Sequence, residues 1–230
     1  FTKDVDFAVL VPDKGKYGMM KELLAKKHGF QADKKVPHRQ KDRYSGIYVD
    51  ILPFGDIADS EYINFGDENG AIISAIGLKE VYDDIIETEI TEESIKIASL
   101  AGLCVLKLIA WDDRPTEREK DITDFSVILN NYFTIAQTEI YEKHLDIFGD
   151  DFDTARAGAL VLGRHIRKIT MKNEKLNRRM QKILNENIED AATSKMAEIM
   201  VRSSGGTAED TVGKLKEVLK GIRSEERRVG

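Results

Sequence analysis

The sequence predicts an α+β protein: a small mixed sheet with flanking helices, followed by a helical C-terminal domain. Three observations carry this. Two short stretches, "DVDFAVLV" and "IYVDILPF", alternate apolar with other side chains at the two-residue period of a strand. From Ser99 onward apolar residues recur at helical spacing nearly to the end of the chain. A length of 230 residues, with 41% hydrophobic and 33% charged, describes a globular protein that leans helical and has room for a core.

The elements follow in order. Residues 4–11 put Val5, Phe7, Val9 and Val11 on one side and Asp4, Asp6, Ala8 and Leu10 on the other. "PDKGKYG" is a turn, and "YGMMKELLAKKHGF" is a helix closed by Gly29, with Met20, Leu23, Leu24 and Lys27 on one face. Residues 30–33 fit a short strand. "RYSGIYVDILPFG" reads as a strand ended by Pro53 and Gly55. Residues 56–77 read as an irregular or hairpin insertion, and "EVYDDIIE" and "SIKIAS" as β-rich pieces. Helices are expected over 100–111, 117–132, 136–148, 154–169 and 174–188. The expected domains are a sheet core over 1–97, a helical domain over 98–190 and a polar tail, helical in part, over 191–230.

Composition narrows the function classes. Cys104 is the only cysteine, so no intrachain disulfide forms, and a reducing compartment is favoured. No stretch approaches the roughly 18 apolar residues of a membrane helix, and no signal-peptide pattern opens the chain, so the expectation is cytoplasmic. The net charge of -6 sits entirely in the first hundred residues. Residues 164–182 are locally basic, a phosphate-backbone footprint or a solvated helix face. His28, His38, His144 and His165 show no metal-binding spacing, and neither a phosphate loop nor a dinucleotide fingerprint is present.

The acidic residues on the strands need a reason, because ionised carboxylates are expensive to bury unless they pair or bind a metal. Asp4 and Asp6 share one strand face, and Asp50 lies opposite the aliphatic set of its own strand. If the two strands are neighbours, three carboxylates converge, a ligand set for two divalent cations in phosphoryl chemistry. Strand-end solvation is the plainer account of the Asp-x-Asp pattern taken alone. Lys107 lies in the apolar run "LCVLKLIAW", where an ammonium needs an anionic partner or a route to water. Farther on, Arg114 falls seven residues after Lys107, and Lys120, Asp121 and Asp124 form one charged helix stripe.

"TKDVDFAVLV", "VDILPFG" and "SLAGLCVLKLIAWDDRPTEREKDITDFSVIL" together resemble the AbiEii/MenA-like nucleotidyltransferases of the DNA polymerase β superfamily, which include toxins of abortive-infection and toxin–antitoxin pairs. The likeness covers residues 2–132. It implies a polymerase β-like core, with Asp4, Asp6 and Asp50 as catalytic metal ligands and Asp50 activating the acceptor hydroxyl. It further implies that Lys107 contacts the nucleotide phosphates, joined at the nucleotide site by Arg114, Lys120, Asp121 and Asp124. Mg²⁺ (or Mn²⁺) is the implied cofactor and an NTP the substrate, with a tRNA, protein or small-molecule acceptor, and an antitoxin protein is a possible partner. The alternative is a non-catalytic nucleotidyltransferase-like module that binds a partner protein or RNA. Such enzymes carry a Gly-Gly or Gly-Ser element ahead of the Asp-x-Asp strand, and none precedes Asp4 here. The chain is therefore expected to be N-terminally truncated and poorly active by itself, and the adapter-like "RSEERRVG" to have no function.

Overall fold

The structure, a computed structural model, describes residues 4–58, 61–65 and 72–223. The chain divides into two compact units, Phe1–Lys79 and Glu80–Gly230.

The first unit is built on β1 (Asp4–Leu10), α1 (Lys14–His28), β2 (Phe30–Ala32), β3 (Arg39–Asp42) and β4 (Tyr48–Phe54). The strands form one mixed sheet in the order β1-β4-β3-β2, with β1 parallel to β4 and the remaining pairs antiparallel. Asp13 starts α1 by accepting a hydrogen bond from the Lys16 amide at 2.8 Å, and Gly29 ends it in the left-handed region at φ 75°. Lys26, Lys27 and His28 in its last turn complement the helix dipole. Val11, Tyr17, Ile51, Ile57 and Ile63 form the core, joined by Val9, Met20, Leu24 and Val49. The Tyr17 hydroxyl donates to the Ile51 carbonyl at 2.7 Å and so ties α1 to β4. Pro53 is tolerated in β4 because the ladder to β3 covers only Tyr48 to Asp50, leaving one strand neighbour at the proline. β5 (Tyr62–Asn64) and β6 (Ile72–Ser74) pair as an antiparallel hairpin where an insertion was expected.

At the division comes α2 (Leu78–Tyr82), which takes residues expected to be β-rich into a short helix. Val81 is buried there against Gly102, whose missing Cβ makes the room. The second unit continues with the hairpin β7 (Ile85–Ile90) and β8 (Glu93–Ala98), then α3 (Leu100–Asp113), α4 (Glu119–Ile135) and α5 (Gln137–Lys143). It ends with α6 (Thr154–Thr170), α7 (Glu174–Ile188), α8 (Lys195–Ser204) and α9 (Ala208–Arg223). Ser99 joins hairpin to helix, accepting from the Gly102 amide at 3.0 Å while donating to Asp84 at 2.7 Å. α6 is central and packs on α3, α4, α7 and α9. The stretch read as a polar tail carries α8 and α9, which bury Met196, Met200, Leu215, Val218 and Ile222. Residues 224–230, including most of the adapter-like end, lie outside the described residues. Among the described residues, no helix is long and apolar enough to cross a membrane.

Candidate active site

The parallel register of β1 and β4 sets Asp6 directly beside Asp50 and Asp4 beside Tyr48, so all three aspartates leave the sheet on one face. In β3, Arg39 is the register partner of Asp50 on the other side. Its guanidinium grips Asp50 with two bonds: Nε donates to Oδ1 at 2.7 Å and Nη2 to Oδ2 at 2.7 Å. The same Nη2 reaches Asp4 Oδ2 at 3.3 Å, so Asp4 and Asp50 share one nitrogen. Asp50, on the inner strand β4, is buried; on the edge strand β1 Asp4 is half-buried and Asp6 exposed. The His38 Nε2 lies 3.8 Å from Asp50 Oδ2, and the Arg39 guanidinium sits 5.3 Å above the Tyr48 ring. The hydrogen bond to Asp50 raises the Arg39 pKa further above its already high ordinary value, outweighing the opposing effect of burial. Three hard carboxylate oxygens on one face suit Mg²⁺ or Mn²⁺, and a cation already bridges two of them, so the residues fit a divalent ion.

The second unit holds its own charged cluster between α3 and α4. Lys107 Nζ donates to Asp124 Oδ2 at 2.6 Å and to Asp121 Oδ1 at 3.3 Å. Arg118 Nε meets the other Asp121 oxygen at 2.7 Å, so the buried Asp121 is held between two cations. Burial works against the Lys107 charge, but the Asp124 bond and the two carboxylates outweigh it and raise its pKa. Of the other expected residues, Lys120 is exposed on α4, and Arg114 caps the end of α3 and pairs with Glu117 at 3.5 Å. Sequence reasoning missed Arg39 and Arg118. Arg118 stood inside the quoted "TEREKDITD" block, three residues before Asp121, a spacing that signals a pair. Arg39, in the polar segment "HRQKD", gave no such signal.

Residues 1–219 match the family described as "Nucleotidyl transferase AbiEii toxin, Type IV TA system". The chain belongs to the AbiEii nucleotidyltransferase toxin family. Membership brings nucleotidyl transfer, a toxin-type role and an antitoxin partner, and nucleotidyltransferases typically use an NTP and a divalent metal. The match extends beyond α3 and α4 through α8 and most of α9, so the last helices are part of what defines this AbiEii-type chain. None of the curated proteins and none of the solved structures searched matches the chain.

Two further features of this AbiEii-type chain belong to the second unit. The basic stretch 164–182 is mostly neutralised within the protein. Arg164 pairs with Asp146, Arg167 bonds the Ile222 carbonyl, Arg178 pairs with Glu174, and Arg179 binds Asp112 and Asp113. That disposition favours the helix-face account over a phosphate footprint. Glu139, His144 and His165, which sequence spacing did not connect, bring one ligand atom each within 4.8 Å of one another. The Arg164 guanidinium donates to His144 Nδ1 at 2.9 Å, and the Tyr132 hydroxyl lies 2.6 Å from His165 Nδ1. Arg164 thus engages Nδ1 of His144, while the ring's Nε2 is buried without a hydrogen-bond partner.

Both imidazoles are held below the ordinary histidine value, each chiefly by burial, with Arg164 adding to the effect at His144. Neutral rings therefore contribute stability above the unfolded value of 6.5, which is lost as pH falls toward the depressed folded values, because the unfolded chain takes up protons first. The melting temperature of the second unit should drop between about pH 7 and pH 5, and the slope should flatten in a His144→Gln/His165→Gln variant. Melting followed by Trp111 fluorescence checks this; a flat or inverted slope in the unaltered protein contradicts it.

Proposed function

We propose that the protein moves an NMP from an NTP to a hydroxyl acceptor on RNA, protein or a small molecule, releasing pyrophosphate. The observation that carries this reading is the register of Asp6 beside Asp50, with Asp4 on the same face. Asp4, Asp6 and Asp50 hold divalent cations, Mg²⁺ or Mn²⁺. The bound ions would supply charge neutralisation of the phosphates and a lowered pKa for the attacking hydroxyl. Asp50, the buried member, accepts the acceptor's proton, and its fixed position on the inner strand orients that hydroxyl.

For the second unit the proposal concerns the nucleotide. Lys107 gives the triphosphate a cation, Asp121 and Asp124 hold that ammonium at a defined position, and Arg114 and Lys120 are exposed cations available to phosphate. Positioning of this kind is most of what phosphoryl transfer asks of a protein.

The test is transfer of label from α-labelled NTP to total tRNA and protein, using the protein expressed from its complete reading frame. Transfer should require Mg²⁺ or Mn²⁺ and stop with chelator. Lys107→Ala should weaken NTP binding and turnover by about tenfold or more, equivalent to about 1.4 kcal/mol of charge-assisted contact. An unchanged NTP affinity in that variant makes the lysine structural. A protein that grips RNA or a partner without transferring label replaces the enzyme with the binding module.

A further inference from the structure

We propose that Arg39 is a built-in counter-cation of the acidic face, which competes with the divalent metal for Asp50 and Asp4 and so sets how readily the site loads. The inference rests on the reading of Asp4, Asp6 and Asp50 as metal ligands. Both carboxylate oxygens of Asp50 are engaged by the guanidinium at 2.7 Å, and its Nη2 also reaches Asp4. Each Asp50 oxygen therefore meets a metal with one lone pair already engaged and a positive charge beside it. A guanidinium that holds both oxygens takes one lone pair of each and repels an incoming divalent cation, so loading proceeds in competition with the arginine.

Charge explains why such a residue is useful. Without a cation, two carboxylates side by side on parallel strands, with a third two residues away, repel one another. Arg39 relieves that repulsion and compensates the one carboxylate that is buried, Asp50. By engaging Asp50 and Asp4, Arg39 lowers the negative charge that draws a divalent ion, so an ion that arrives with the negative charge of a triphosphate loads against it more readily than a bare one. The Tyr48 ring, 5.3 Å from the guanidinium, offers the released side chain an adjacent resting place by cation–π contact.

The experiment measures Mn²⁺ affinity of the full chain, by the paramagnetic resonance signal of free Mn²⁺, for the unaltered protein, Arg39→Gln, Arg39→Lys and Asp50→Asn. Arg39→Gln should bind Mn²⁺ about tenfold more tightly, and Arg39→Lys should fall between, because a point ammonium cannot hold both Asp50 oxygens. In chelator Arg39→Gln should melt below the unaltered protein, and added Mn²⁺ should raise its melting temperature by more. Equal or weaker Mn²⁺ binding by a folded Arg39→Gln overturns the proposal. If that variant does not fold, Arg39→Lys decides the matter, and parity with the unaltered protein overturns it. Failure of the underlying reading looks different: Mn²⁺ binding is then absent throughout, or untouched by Asp50→Asn.

Discussion

Asp6→Asn should lower nucleotide transfer by about a thousandfold, about 4 kcal/mol of transition-state stabilisation, while leaving the fold intact. Of the three aspartates it gives the cleanest separation of chemistry from structure. Asp50 is buried and bound twice by Arg39, and Asp4 shares that arginine, so changing either disturbs the resting protein as well as any metal. Asp6 is exposed on the edge strand β1, so an isosteric amide there should cost less stability than a change at the buried Asp50. The amide keeps the shape and removes the charge that a hard cation needs. Label transfer and a thermal melt on the same preparation give both numbers. Full transfer activity in Asp6→Asn would remove this residue from the ligand set and leave the two-ion chemistry without a complete site.

The largest stability effect is expected at the crossing of α6 and α9. A Cβ on Gly163 would lie 2.1 Å from the Val218 carbonyl oxygen and 2.9 Å from the Gly221 Cα, and one on Gly221 would meet the Leu160 oxygen at 2.3 Å. These neighbours are backbone atoms, so no side chain can swing aside and the helices themselves must part. Gly163→Ala should therefore destabilise the second unit by about 3 kcal/mol, although alanine is the better helix former by about 1 kcal/mol. The same exchange at Gly18 in α1, where no atom lies within 4 Å of the added Cβ, should stabilise the first unit by about 0.5–1 kcal/mol. Urea unfolding of the two variants decides the point. Equal signs at both positions would mean that the α6–α9 contact yields more easily than backbone packing should.

The acidic face was legible because alternation in two strands fixes which side chains share a side, whatever the topology. Their pairing was not, since nothing in "DVDFAVL" or "YVDILPF" says that they run parallel and adjacent. β3 escaped notice for a physical reason: "RQKD" has no apolar alternation, and it is held by ladder bonds and by Arg39 rather than by hydrophobic burial. α9 was hidden by dilution. Val212, Leu215, Val218, Leu219 and Ile222 keep a helical stripe, but Lys, Glu and Gly between them lower the average that marks a segment as polar. α2 shows tertiary context overriding propensity, with Val81 and Tyr82 drawn into a helix that seats Val81 over Gly102.

α3 carries the chain's one cysteine and its one tryptophan, Cys104 fully buried and Trp111 nearly so. Burial pushes the Cys104 thiol well above its ordinary value, which withholds the thiolate that alkylating reagents require. Modification of Cys104 can therefore proceed only through molecules in which α3 has come away from its neighbours, and the rate of mass gain under a thiol reagent becomes a clock for that opening. Indole emission reports the same helix at equilibrium. Both signals arise in the second unit, and the first contributes neither a thiol nor an indole. The native sequence thus already contains a unit-specific label, so the energetics of the helical unit can be followed apart from those of the sheet without engineering a probe into either.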